Sequence, residues 1–314
     1  MIVTVTLNPS LDRTVEIGVL ERGQVLRAGS TRLDPGGKGV NVARALAAND
    51  FKTRAVLPCG GRDGEALAAM LTAEGVDLVA LPTSAPVRSN ITVIEADGTV
   101  TKINEPGGGL APEELDACVE AVLRVASGAD WVVACGSLPP GVADDFYARL
   151  GSHLARARIP FAVDTSGPAL SAALAAPPSL IKPNLHELAE AVGRSPGTLG
   201  EVVEAALALR ERAPVTVLAS LGPDGAVLVD GESVVHGEAT VHSSRSTVGA
   251  GDALLAGFLA GGAHGAGALA EGLAWGAAAV RQPGSRMPHP HDIDRSGVRV
   301  HDVIEASRVL AARE

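Results

Sequence analysis

The stretch Ser246–Gly261 reads STVGAGDALLAGFLAG and sets one carboxylate, Asp252, among residues with almost no side chain. Gly249, Ala250 and Gly251 leave the backbone bare just where an apolar helical run begins. A bare turn entering a helix presents several unpaired N–H groups, which suits an anion. An aspartate there repels anions, so it must supply chemistry that outweighs the repulsion. A second stretch, DPGGKGVNVARAL (34–46), surrounds Lys38 with Gly36, Gly37 and Gly39 ahead of a helix. It reads as a cradle for a phosphate or sugar phosphate, or as a tight turn that needs glycines. It is not a Walker A loop, because Gly39 stands where Ser or Thr should follow the lysine.

Four other places carry chemistry beside a plainer reading. VRSN (87–90) puts Arg88 and Asn90 on one face of a strand, where an arginine can grip phosphate or simply be solvated. LNPSLDRT (7–14) ends a strand with Asn8 and Asp12, and the aspartate can hold two sugar hydroxyls or merely make a turn. In IKPNLHEL (181–188), Asn184 and Glu187 have the spacing of a capping box. They also have the types to stand beside the magnesium and phosphates of a nucleotide, with Lys182 close by. ASLGPDGAV (219–227) is a hairpin in which Ser220, Gly222 and Gly225 can line a nucleotide pocket. Two other readings fail. A dinucleotide fingerprint needs glycine where Leu254 stands, and the histidines of PHPHD (288–292) lie in a Pro-rich loop without metal-site spacing.

Positioning these groups takes alternating elements. Strands are expected at 2–7, 53–58, 131–136, 160–164, 179–184 and 215–220. Helices are expected near 40–49, 62–74, 112–126, 143–156, 185–192, 198–212, 250–262, 267–281 and 302–312. Such alternation means a mostly parallel sheet with helices on both faces. Residues 12–34 and 86–105 lack helices, show strand patterns with a turn at Asp97-Gly98, and read as a small β lid inserted in one α/β domain spanning 1–314.

Bulk properties agree. The chain has 314 residues, 46% hydrophobic but only 2% aromatic, so the core is aliphatic. A net charge of −10 excludes nucleic acid as the expected partner but not a small phosphorylated ligand. Three separated cysteines and no basic leader imply a cytoplasmic protein, and the apolar stretch 253–280 reads as two buried helices rather than a membrane span. Only four of the 26 basic residues are lysines, and two of those, Lys38 and Lys182, fall in the motifs above.

The order GGKGVN, GSLPPG, KPNLHEL, SLGPDGA and TVGAGDA resembles the ribokinase-like carbohydrate kinases, the phosphofructokinase B family, over essentially the whole chain. TLNPSLDRT, GGKGVNVAR, RSN and STVGAGD are most similar to its hexose-phosphate branch, 1-phosphofructokinases ahead of tagatose-6-phosphate kinases and minor 6-phosphofructokinases. The resemblance implies a three-layer αβα sandwich with a β lid, commonly a homodimer through the lids, with ATP and Mg2+ in use. It implies Asp252 as base toward the attacking sugar hydroxyl and Gly249, Ala250 and Gly251 as an anion hole. Asp12, Gly36, Gly37, Lys38, Asn41, Arg88, Asn90 and Ser137 would hold a sugar phosphate, with Lys38, Arg88 and Asn90 clamping its phosphate. Lys182, Ser220, Gly222 and Gly225 would hold ATP, and Asn184 with Glu187 the magnesium side, indirectly. Ser246 replaces the Asp common before TxGAGD and leaves any monovalent-cation site open. The rival from another class is an idle sugar-phosphate sensor, whose expected mark, a lost base or broken anion hole, is missing from this sequence.

Overall fold

In the computed structural model, which describes residues 1–231 and 233–311, neighbouring residues of the central strands enter different cores. The elements run β1 (Ile2–Val5), β2 (Ser10–Glu16), β3 (Ser30–Gly36), α1 (Lys38–Ala48), β4 (Thr53–Pro58), α2 (Gly61–Ala73), β5 (Asp77–Leu81), β6 (Arg88–Ile94) and β7 (Val100–Asn104). Next come α3 (Pro112–Val125), β8 (Trp131–Cys135), α4 (Phe146–Arg156), β9 (Phe161–Asp164), α5 (Gly167–Ala173), β10 (Leu180–Ile181), α6 (Leu185–Val192) and α7 (Leu199–Arg212). The chain continues with β11 (Thr216–Ser220), β12 (Ala226–Asp230), β13 (Ser233–Ala239), α8 (Ala250–Ala260), α9 (Gly265–Val280) and β14 (Val298–His301).

Ten strands form one sheet in the order β14-β13-β12-β11-β10-β9-β8-β1-β4-β5, parallel from β11 to β5 and antiparallel from β11 to β14. Val132 and Ala134 of β8 enter the core built with α3, α4 and α7, while Val133 and Cys135 enter the one built with α1, α8 and α9. That period of two, with aliphatic residues on both faces, is why the strands read as continuous apolar runs and why helices cover both sides. The fold is the α/β sandwich expected, with a mostly parallel central sheet. A separate four-stranded sheet has the order β3-β2-β6-β7, in which β2 pairs β6 in parallel and the turn between β6 and β7 carries Gly98 at φ 90°.

The run 253–280 is indeed two helices, α8 and α9, packed so closely that a Cβ on Gly257 would lie 2.7 Å from the Trp275 indole. No described helix is long and apolar enough to cross a membrane. One helix expectation fails. Residues 302–311 follow β14 as turns with a bridge between Thr198 and Val309, and residue 312 lies outside the described residues. Their backbone groups bond outward instead of four residues back: Leu310 N–H to Gly197 O, Ala311 N–H to the Asp224 carboxylate, and Arg308 O from Leu199 N–H. Strands β5, β13 and β14 and the short α5 are additions that the sequence pattern does not announce.

Candidate active site

The carboxyl ends of β1, β9 and β10 and the entries of α1 and α8 meet at one place, where open α/β sheets bind ligands. Asp252 lies in the first turn of α8, behind the cap residue Gly249, whose left-handed φ of 77° favours glycine and beside which the Met287 methyl packs. Among the described residues the N–H groups of Gly251 and Asp252 have no backbone acceptor, and that of Ala250 makes only a long 3.4 Å turn bond to Thr247 O. Asn41, on α1, donates to Asp252 Oδ2 at 2.8 Å. Asp252 is buried, and burial first, then the nearby Asp164 charge, lifts its pKa to about 6 against the opposing pull of Lys182, Lys38 and Asn41. A carboxylate so placed is ionised at neutral pH yet basic enough to take the proton of an alcohol in a concerted step.

Asp164, at the last position of β9, is the residue that sequence reading missed. It is fully buried, takes Lys38 Nζ on Oδ1 at 2.8 Å and pairs Lys182 Nζ with Oδ2 at 3.0 Å. Burial pushes its pKa up, but the two ammonium groups outweigh that and hold it below the usual carboxylate range. Its only sequence signal is its place at a strand's carboxyl end, which many structural aspartates share. Lys38 also donates to Glu187 Oε1 at 2.9 Å, so it joins Lys182 and Asp252 rather than Arg88. Burial opposes its charge, and the carboxylates of Asp164 and Glu187 overcome that, keeping it protonated. Lys38 and Lys182 face Asp164, Glu187 and Asp252, one negative charge in excess.

Asn184 and Glu187 form the capping box in full. Glu187 N–H donates to Asn184 Oδ1 and Asn184 N–H to Glu187 Oε2, each at 2.9 Å, and Glu187 keeps its other oxygen for Lys38. Among the described residues no three His, Cys, Asp or Glu are arranged to hold a metal ion. Ser220 bridges to Asn184 across the sheet edge. Gly222 is open, with nothing within 4 Å of where a Cβ would stand. A Cβ on Gly225 (φ 82°), in contrast, would collide with Gly237 O, so Gly225 is fixed by chain packing.

Asp12, Gly36, Arg88 and Asn90 lie on the small sheet, with Gly37 at the entry of α1 and Ser137 just after β8 of the large one. Asp12 Oδ1 accepts from Ser10 Oγ at 2.7 Å and from Asn90 Nδ2 at 2.9 Å, and Gly36 presses so close that a Cβ there would collide with the Asp12 carboxylate. Arg88 is held by the carbonyls of Glu105 (2.9 Å) and Asn8 (3.1 Å), and Asn8 donates to Ser137 Oγ at 3.3 Å. Among the described residues, Arg88 Nε and Asn90 Oδ1 are buried without a partner. The structure therefore makes two groups, one around Asp252 and one around Asp12 and Arg88, joined by the glycine turn at 36–37.

The pfkB family carbohydrate kinase pattern matches residues 5–292. Curated relatives include a 1-phosphofructokinase of Haloferax volcanii, 38% identical over 93% of this chain and 95% of its own length. Another is an ATP-dependent 6-phosphofructokinase isozyme 2 of Mycobacterium tuberculosis, 36% identical over 94% of this chain and 88% of its own. Among solved structures, phosphofructokinase-2 of Escherichia coli in complex with substrates and products matches with a TM-score of 0.87 at 35% identity, over 93% of this chain and 96% of that one. Fold, site and likeness together define a phosphotransferase whose acceptor is an alcohol. The chain belongs to the pfkB family of carbohydrate kinases.

Proposed function

We propose that the enzyme transfers the γ-phosphate of ATP to the 6-hydroxyl of fructose 1-phosphate, giving fructose 1,6-bisphosphate. The observation that supports a phosphorylated sugar is the buried, unpartnered Nε of Arg88 together with the unpartnered Asn90 Oδ1 on the same strand. A buried polar atom without a partner is unfavourable, and a substrate phosphate and sugar hydroxyl supply what is missing. Asp12 then holds ring hydroxyls, with Ser137 and the Gly36-Gly37 turn flanking them.

Phosphoryl transfer passes through a loose transition state, so the protein mainly positions groups and offsets charge. Asp252 takes the proton of the attacking hydroxyl. The N–H groups at 249–251 and the entry of α8 receive the oxygens of the transferring phosphoryl. Lys38, tied to Asp164 and Glu187, belongs in this reading to the phosphoryl end with Lys182 rather than to the sugar-phosphate clamp. Ser220 and Gly222 flank the nucleoside. Asn184 and Glu187, both engaged in the capping box, would hold Mg2+ indirectly, and the ion would add positive charge beside the nucleotide phosphates. The four-stranded sheet acts as a lid over the sugar, and closing it excludes water from the transfer.

The same pocket also fits fructose 6-phosphate or tagatose 6-phosphate, and relatives named for a 1-phosphate and a 6-phosphate enzyme match almost equally. Release of ADP with ATP-Mg and a panel of fructose 1-phosphate, fructose 6-phosphate, tagatose 6-phosphate, fructose and ribose decides between them. Preference for fructose 1-phosphate is the expected result. Preference for a 6-phosphate keeps the mechanism and changes the substrate, and activity on free sugars alone removes Arg88 from the clamp.

A further inference from the structure

Behind Asn41 lies a charged side chain that the mechanism above does not use. Arg44, one turn further along α1, is buried, and its guanidinium joins three separate pieces of the site. Nη1 donates to Pro35 O at 3.1 Å, to Ser285 O at 2.9 Å and toward Asn41 Oδ1 at 3.4 Å. Nε and Nη2 grip the Glu74 carboxylate at 2.5 and 2.9 Å. Pro35 is the residue before the Gly36-Gly37 turn. Ser285 belongs to the loop that brings the Met287 methyl against Gly249. Asn41 is the partner of Asp252.

We propose that Arg44 is a positioning residue for phosphoryl transfer: it fixes the Asn41 amide with its NH2 toward Asp252, and ties the 283–287 loop behind the anion hole to the glycine turn. The inference rests on the reading of Asp252 as the base. Its physical content is the orientation of one amide. With Oδ1 held by a cation, Asn41 can present only its NH2 to the carboxylate; turned over, it would set oxygen against oxygen. A planar fork is the side chain suited to bridge several carbonyls at fixed angles, which an ammonium on a flexible stem does less well. The groups that face Asp252 are Lys38 and Asn41 from α1, Lys182 after β10, Asp164 at the end of β9 and Cys135 of β8. Only the Asn41 contact depends directly on Arg44. Arg44 also lines a cleft of about 530 Å3 with Arg32, Glu74 and Met287.

The test compares Arg44→Met and Arg44→Lys with wild type in two measurements. The first is kcat and KM from pH 5 to 9 on the sugar phosphate that wild type accepts. Arg44→Met is expected to lose about 100-fold in kcat, the scale of a misplacement of about 1 Å, with KM for ATP nearly unchanged. Its acid limb moves to higher pH, because Asp252 has lost a hydrogen bond that favours its charged form. Arg44→Lys recovers part of the rate and returns the limb toward wild type. The second measurement needs no turnover. It is the pH at which the gap between the melting temperatures of a protein and its Asp252→Asn version stops widening, which follows the folded-state pKa of Asp252, read once with Arg44 intact and once with Arg44→Met in both proteins. That pH rises when Arg44→Met is present. An acid limb and a melting step that both stay at the wild-type pH overturn the proposal, even where kcat falls through lost stability. A wild type inactive on the whole panel removes the kinase substrate reading alone, since the melting step still decides the role of Arg44.

Discussion

At the scale of single residues, Asp252 carries opposite demands. A proton acceptor at an anion site is destabilised by burial and by Asp164, and its pKa of about 6 against 3.8 for a free carboxylate measures that. Between those two values the folded chain binds more protons than the unfolded one, so stability falls as pH rises through the window and the full penalty stands above about pH 6. Asp252→Asn removes it. We expect the variant to melt about 2–6 °C higher than wild type at pH 8, from about 1–3 kcal/mol of relieved strain, and to match wild type near pH 4. The same variant loses turnover by about two orders of magnitude or more, with the sugar-phosphate KM little changed; retention of more than about a tenth of the activity sinks the base assignment. In wild type, kcat/KM falls on the acid side with a midpoint near pH 6, the pKa of the unoccupied base. Arg88→Ala, in contrast, raises the sugar-phosphate KM with a small effect on KM for ATP, and an unchanged sugar KM removes it from the site.

The residues legible in the sequence are those whose backbone needs are local. Gly249 requires a left-handed turn, and Asn184 and Glu187 announce their capping box by spacing alone. Asp164 is not legible, because its meaning comes from Lys38 and Lys182, brought to it from α1 and from the loop after β10. Lys38 is legible as a phosphate ligand in type, but which phosphate it serves depends on where α1 points, and that is a tertiary fact.

At the scale of elements, the α8–α9 pair shows how backbone shape decides a substitution. A Cβ on Gly257 would meet the Trp275 ring at 2.7 Å, Glu271 O at 2.9 Å and Gly272 Cα at 3.0 Å, none of them a flexible end. Gly257→Ala gains up to about 1 kcal/mol of helix propensity but forces two close-packed helices apart, at about 1–3 kcal/mol. On Gly267, in the same pair, the added methyl meets nothing. Urea unfolding is therefore expected to show Gly257→Ala less stable than wild type and Gly267→Ala equal or more stable; the same sign for both would show that the helices yield. Most elements are legible because aliphatic runs with turn residues between them leave few alternatives. The segment 302–311 deceives because Val303, Ala306 and Leu310 recur at i, i+3 and i+7 as if on a helix face, while its backbone groups find better partners in Gly197, Leu199 and Asp224.

At the scale of the whole molecule, the two sheets differ in how they are covered. Strands β1 and β9 are buried along their whole length, whereas β6 is half-buried throughout and β7 is mostly exposed. The small sheet is covered where β2 and β3 approach the glycine turn and open beyond it. Around that open part, Val19, Leu20, Val25 and Leu26 of the β2–β3 connection and Val100 and Ile103 of β7 show large apolar surfaces to solvent. So many apolar side chains on one small sheet and its connection suit a docking surface, with Val100 and Ile103, three apart on β7, standing on its opposite faces. A second copy of the chain is the occupant we expect, lid against lid, as the family resemblance implies. Light scattering with size exclusion should give twice the chain mass for wild type and the single mass for a Val25→Asp, Ile103→Asp double variant. A wild type that elutes as a monomer at micromolar concentration ends the dimer reading. If the double variant is monomeric and its sugar-phosphate KM rises while KM for ATP holds, the partner lid helps to close the sugar end of the site; if both constants hold, the apolar surface serves assembly alone.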